Sequence, residues 1–218
     1  MTPIQAAETV IETITAMAQE QRPLMLRIVP EEGATFWTHY PKGDARDKFC
    51  QSRWYYHVHA AGKRDPDEHG HFHLFLHRDQ LPEEVEPTVI PPKGKKKKAD
   101  VTHLVALSVN TLGIPRAWFT VNHYVTNEYL YPAELLIEHL PDFNVDHTKQ
   151  DDLVNRFVTG MVALYRDEIA ELLRERDAKQ AALVEEMGDD AYKKVSGAEV
   201  LSEIPIDLDA KISSLDLG

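Results

Sequence analysis

Cysteine is almost missing from this chain. Cys50 stands alone in 218 residues, which excludes an internal disulfide and a thiolate-rich zinc site. Long apolar runs are absent as well. No stretch reaches the roughly 18 consecutive apolar residues that a membrane-spanning helix needs. Met1 to Gln19 lacks a basic region followed by a continuous apolar run, so it does not read as a secretory signal. Positive charge is in deficit, and a net charge of −12 argues against nucleic acid or an anionic membrane as the main partner. One segment, Lys93-Gly94-Lys95-Lys96-Lys97-Lys98, breaks that trend; it reads as a solvated loop between strands, with a phosphate-docking segment as the alternative. What remains is 43% hydrophobic and 28% charged, ordinary for a globular chain that buries a core. A cytoplasmic location and a small-molecule substrate are expected, and a homodimer is left open.

Histidine is what the chain has in unusual density. Six of its 11 histidines fall between His57 and His77, and all six occupy odd positions. Side chains two apart in a strand share a face. His57 and His59 therefore line one face of a first strand, and His69, His71, His73 and His77 one face of a second. Between them, Ala60 to Glu68 carries Gly62, Asp65, Pro66 and Asp67 and reads as a turn. An antiparallel hairpin with 59 opposite 69 or 71 gathers four or five imidazoles into one patch. The even positions Trp54, Tyr56, Val58, Phe72, Leu74 and Leu76 are apolar or aromatic and form the core face.

Imidazole is the commonest protein ligand for transition metals. The expected ligands are His57, His59, His71 and His73, with His69 as a substitute if the register slips by two. His77 lies at the far end of its strand, beside Arg78 and Asp79. His103 precedes Val105, Leu107 and Val109 and reads as a core or edge histidine. His39 and Tyr40 sit on a loop able to cover the patch, and His123 could reach it from a later strand. Trp37, Trp54 and Trp118 read as packing residues. Glu68, Tyr124 and Glu128 are the candidate acid–base groups, Glu68 doubling as a carboxylate ligand.

The rest of the chain supplies the frame. Residues 3–19 form a helix after Thr2-Pro3, with Ile4, Ala7, Val10, Ile11, Ile14 and Met17 at helical spacing. Residues 24–29 make a short strand or buried connector, and Thr38 to Asp44 a loop. Strands are expected near 53–59, 70–77, 102–110 and 116–125. Tyr131-Pro132-Ala133-Glu134 starts a short helix that Leu140-Pro141 ends. A long helix runs from Asp151 to near Met187-Gly188. The fold class is α+β: an antiparallel β-meander of four to five strands with N- and C-terminal helices on one face. Residues 1–188 form the expected single domain, and 189–218 an acidic tail that is partly packed or flexible.

Two resemblances follow from these residues. His69-Gly70-His71-Phe72-His73-Leu74-Phe75 is similar to the histidine-triad signature of nucleotide hydrolases and transferases, which implies His71 as the nucleophile on phosphorus. The segment departs from it at Gly70, where the family has an apolar residue. The usual Gly-Gln and Ser approach to the triad is also missing from 65–68. More broadly, the chain resembles an uncharacterised bacterial domain family of unknown function. That likeness rests on His39-Tyr40-Pro41, Tyr55-Tyr56-His57-Val58-His59, Glu68 to His73, Thr102 to Ala106 and Tyr131 to Glu134. It implies no activity. The residues themselves point to a metal-dependent enzyme or metal-binding protein using iron, zinc or copper to activate water or dioxygen. The alternatives are the triad-like hydrolase and a non-catalytic metal binder or sensor.

Overall fold

A computed structural model describes residues 1–60, 65–91 and 100–215. Residues 61–64 of the turn expected at 60–68, and the lysine run at 93–98, lie outside the described residues. In chain order the elements are α1 (Pro3–Gln19), α2 (Leu24–Ile28), β1 (Tyr40–Arg46), β2 (Arg53–His57), β3 (Gly70–His77), β4 (Val101–Val109) and β5 (Pro115–Val121). They continue with α3 (His123–Thr126), α4 (Ala133–Glu138), α5 (Asp152–Leu164), α6 (Arg166–Met187), β6 (Val200–Pro205) and α7 (Leu208–Ser213). The fold is α+β, as expected. The sheet has six strands in sequential order, every pair antiparallel, one more than the upper end of the expected count.

Two of the six strands lie outside the four segments where strands were expected. β1 begins within the segment read as a loop and runs two residues past it. Pro41 and Gly43 disguise it, and it runs at the sheet edge, where proline is tolerated. Its pairing with β2 slips between Tyr40 and Ala45, so only Tyr40, Ala45 and Arg46 keep partners. β6 comes from the segment expected to be a tail, where Val200–Pro205 pairs with β5.

The helices cover the apolar face. α1 opens with a capping box: Gln5 N–H donates to Thr2 Oγ1 at 3.2 Å, and Thr2 N–H to Gln5 Oε1 at 2.9 Å. It buries Ala6, Ala7, Val10, Thr13 and Met17, whereas Ile4, Ile11 and Ile14 of the expected stripe face outward. The long helix expected from 151 is two helices that meet at Tyr165, whose φ and ψ of −105° and 26° leave the helical region. The break lets α5 lie along α1 while α6 runs against β5, β6 and α4. Trp54, Tyr56, Phe72, Leu74, Leu107 and Trp118 join residues of α1, α5 and α6 in one core. The Trp54 indole N–H donates to Asn155 Oδ1 at 3.1 Å, which ties β2 to α5.

Asn155 Oδ1 also accepts from the Thr148 hydroxyl at 2.8 Å, and Asn155 is fully buried. Asn155→Leu strands both donors away from water at about 1–3 kcal/mol for each buried unpaired group. Urea denaturation should show a lower midpoint with an unchanged slope.

Candidate metal centre

The face opposite the core carries the histidines, and it is closed rather than solvated. β2 and β3 pair with His57 opposite His71 and Tyr55 opposite His73. That register puts all four rings on one side of the hairpin. β4 flanks β3 on its other edge, with Ala106 opposite His73 and Ser108 opposite His71. Two small apolar groups border the imidazoles: Tyr55, Phe75 and Val101 on one flank, Ala106, Phe119 and Val121 on the other. His71 is 2% exposed and His73 is 1% exposed.

Three ring nitrogens converge. His57 Nε2 lies 2.7 Å from His71 Nε2, which lies 3.1 Å from His73 Nε2. One ring nitrogen from each of His57, His71 and His73 falls within 4.8 Å of the other two, a group that could hold a metal ion. Two imidazoles bound to one ion at about 2.05 Å, at angles from roughly 90° to 109°, would stand about 2.9–3.3 Å apart. The observed spacings bracket the shorter end of that range. Hydrogen bonding alone serves the arrangement poorly. The outer nitrogen of His71, Nδ1, lies 2.7 Å from Glu68 Oε1, so as an N–H donor to that carboxylate it leaves one lone pair on Nε2. One lone pair accepts one N–H well, and two neighbouring nitrogens face it.

Outer partners hold the other rings as a metal site requires. Glu68 fixes His71 in the tautomer that presents Nε2. His73 Nδ1 lies 2.9 Å from His103 Nε2. His103 reaches this position because of a β-bulge. Leu74 pairs with Val105, but Phe75 pairs with His103, so Leu104 is an extra residue and everything before it changes face. Strict alternation sets His103 with Val105 on the core face; the bulge brings it to the histidine face instead. No local signal in the sequence marks that bulge.

Burial keeps these rings neutral. It is the largest cause pushing His57 down to about 2, with His71, His59 and His39 adding repulsion. His73 lies well below its ordinary value for the same reason, then through His71, His103 and His57. Burial, followed by the charge of Arg176, lowers His103 to about 3.

The remaining sequence candidates scatter. His59 stays beside the cluster, its ring 4.7 Å from His57 and 5.0 Å from His71. His69 turns to the other face, where its Nδ1 meets the Tyr56 hydroxyl at 2.7 Å. His77 caps a short turn, accepting from Asp79 N–H at 3.2 Å. His39, just ahead of β1, stacks on Tyr55 with ring centres 3.7 Å apart, lies 3.2 Å from Asp44 and stands 5.9 Å from the His57 ring, at the border of the patch. His123 Nε2 bonds the backbone oxygen of Glu128 at 2.7 Å. The Glu128 carboxylate stands close enough to Tyr55 to raise its hydroxyl, after burial and Asp44. The Tyr124 hydroxyl donates to the Val195 carbonyl at 3.2 Å.

Gly70 permits the hairpin. A Cβ there would lie 2.4 Å from the His57 backbone oxygen and 2.5 Å from the Tyr56 hydroxyl. Glycine in a strand marks such a close approach.

An α+β fold with a buried polyhistidine face thus defines the class of the molecule. Residues 4–206 match the family described as Domain of unknown function (DUF6969), and the chain belongs to it. No curated protein and no solved structure matches. Among the described residues no helix is long and apolar enough to cross a membrane.

Gly70→Ala should force β3 away from β2 and cost about 1–3 kcal/mol, as overpacking does. A variant with wild-type stability in thermal melts would show that the strands yield without loss. A second outcome concerns pH. For the metal-free chain, His57 and His103 have folded values below the unfolded value near 6.5, so the unfolded state binds more protons in acid. Stability is complete above about pH 6.5 and declines as pH falls towards about 3 and then 2. Melting temperatures measured from pH 7.5 to 4 should fall steadily, and less steeply for the His57→Gln/His103→Gln double variant.

Proposed function

We propose that this protein is a metal-dependent enzyme that holds one divalent transition metal, iron, zinc or copper, on His57, His71 and His73. The observation that carries the reading is the convergence of three buried Nε2 atoms, 2.7 and 3.1 Å apart around His71, with Glu68 and His103 on the outer nitrogens of two of the rings. Three protein ligands leave coordination positions open, the hallmark of a catalytic rather than a structural site. A bound ion would supply Lewis acidity towards water or dioxygen on a small-molecule substrate. His59 is the neighbour positioned to complete a fourth ligand, which would close the site. Glu68 acts here as a positioning residue for His71; Tyr124 has weaker support as an acid–base group, and Glu128 lies on the Tyr55 side. The lone Cys50, whose Sγ donates to the Asn144 carbonyl at 3.1 Å, suits a reducing cytoplasm.

The histidine-triad alternative has less support. It asks His71 to offer an open ring nitrogen to a phosphorus atom. Both nitrogens of His71 already face partners, and the side chain is buried.

Elemental analysis of protein purified without a histidine tag tests the proposal. One equivalent of metal per chain, native or after adding Zn²⁺ or anaerobic Fe²⁺, is expected. His57→Ala and His73→Ala should abolish uptake, and Glu68→Gln or His103→Gln should weaken it about 10- to 100-fold. Protein that takes up no metal overturns the reading. Metal-free nucleotide hydrolysis lost only in His71→Ala would favour the triad chemistry, and bound metal with no exchangeable water would favour a sensor.

A further inference from the structure

Beside the three converging imidazoles lies a cavity of about 430 Å³. Among the described residues it is lined by Phe36, Val58 and Pro66 on its apolar side and by His59 and Glu68 on its polar side. The last two connect it to the centre. Glu68 holds His71 Nδ1 at 2.7 Å, and the His59 ring sits 4.7 Å from that of His57. The volume falls within the range of small-molecule pockets, and polar and apolar groups line it in about equal measure.

Trp37 stands against the same histidine and has no core to fill. Its φ of +65° lies in the left-handed region, which a bulky side chain rarely adopts and which recurs at functional sites. It is 59% exposed, and the adjacent Phe36 is 54% exposed, whereas Trp54 and Trp118 are packed in the core. Its backbone N–H donates to the Val58 carbonyl at 3.1 Å, fixing the strained turn to the end of β2. The indole meets the His59 ring edge-on at 4.4 Å and lies 6.4 Å from His57. Core packing explains neither the strain nor the exposure. Phe36 lines the cavity and Trp37 adjoins it through His59, and two such aromatic rings suit a ligand that is itself a flat ring, because offset and edge-to-face pairs add to area burial.

We propose that this cavity is the substrate pocket of the centre, that it takes a small planar ring compound, and that Phe36 and Trp37 set that preference. The assignment of the pocket to a reaction rests on the metal reading above; the pocket itself does not. The test titrates the full-length protein, metal-free and with Zn²⁺, against phenol, cyclohexanol and tetramethylammonium. The indole N–H signals of Trp37, Trp54 and Trp118 are followed by NMR. Phenol should shift the Trp37 signal saturably and leave the two core tryptophans still, with the other two probes at least tenfold weaker. Trp37→Ala and Phe36→Ala should weaken phenol at least tenfold while leaving metal uptake unchanged, and Trp37→Phe should retain most of the binding. These positions are exposed, so the variants should fold, as far-UV circular dichroism would verify. The proposal is overturned if phenol gives no saturable shift, if cyclohexanol or tetramethylammonium binds as well, or if Trp37→Ala binds phenol normally. Phenol binding in protein that never takes up metal would uphold the pocket and overturn the metal reading. Metal uptake without phenol binding would do the reverse.

Discussion

Pairing of β2 with β3 in the register that sets His57 against His71 decides both faces of the sheet at once. A strand has a side-chain period of two, so a slip by one residue would exchange its core and histidine faces. The register is held from the apolar side. Trp54, Tyr56, Phe72 and Leu74 must reach the core shared with α1, α5 and α6, and the Trp54–Asn155 hydrogen bond ties the strand to a helix. Packing on the back of the sheet therefore places the imidazoles on the front. The front is costly by itself, since burial and mutual repulsion hold His57, His73 and His103 neutral. A cation shared among three lone pairs is the simplest compensation for that arrangement.

The site is completed where regular structure fails. The bulge at Leu104 changes the face of one end of β4 and delivers His103 to His73. At Gly70 the absent Cβ leaves room for the His57 carbonyl and for the Tyr56 hydroxyl that draws His69 out of the cluster. The slip in β1 between Tyr40 and Ala45 accompanies the turn that places His39 over Tyr55. Each irregularity re-aims one side chain, as bulges beside functional sites do. The outer shell that results is uneven. A carboxylate backs His71 and a neutral imidazole backs His73, so the two ligands would donate to a bound ion with different strength.

Much of this was legible in the order of residues. The odd-numbered histidines and the even-numbered aromatic and aliphatic residues specify a hairpin with two unlike faces, because alternation is a local property of the backbone. The antiparallel order of the central strands and the helices at both ends followed from equally local patterns. β1 was hidden by Pro41 and Gly43, which an edge strand tolerates but which locally signal a loop. β6 was hidden because Val200–Pro205 is short and its charged neighbours look like a tail; it becomes a strand only once β5 offers an open edge. In α1, Ile4, Ile11 and Ile14 have the apolar character of a core stripe, yet α5 meets the Ala6-Ala7-Val10 side, where small residues allow close approach.

The sequence by itself determined that His57, His71 and His73 would lie on the face opposite Trp54, Tyr56, Phe72 and Leu74, since a period of two requires no knowledge of the fold. Only the tertiary structure decided which histidines converge. His57, His71 and His73 meet because two paired strands, β2 and β3, hold them side by side on one face of the sheet. His69 leaves through a hydrogen bond to a core tyrosine, and His103 joins through a bulge. Trp37 likewise takes its place beside His59 from a strained turn pinned to β2, a contact between segments about twenty residues apart that no local pattern encodes.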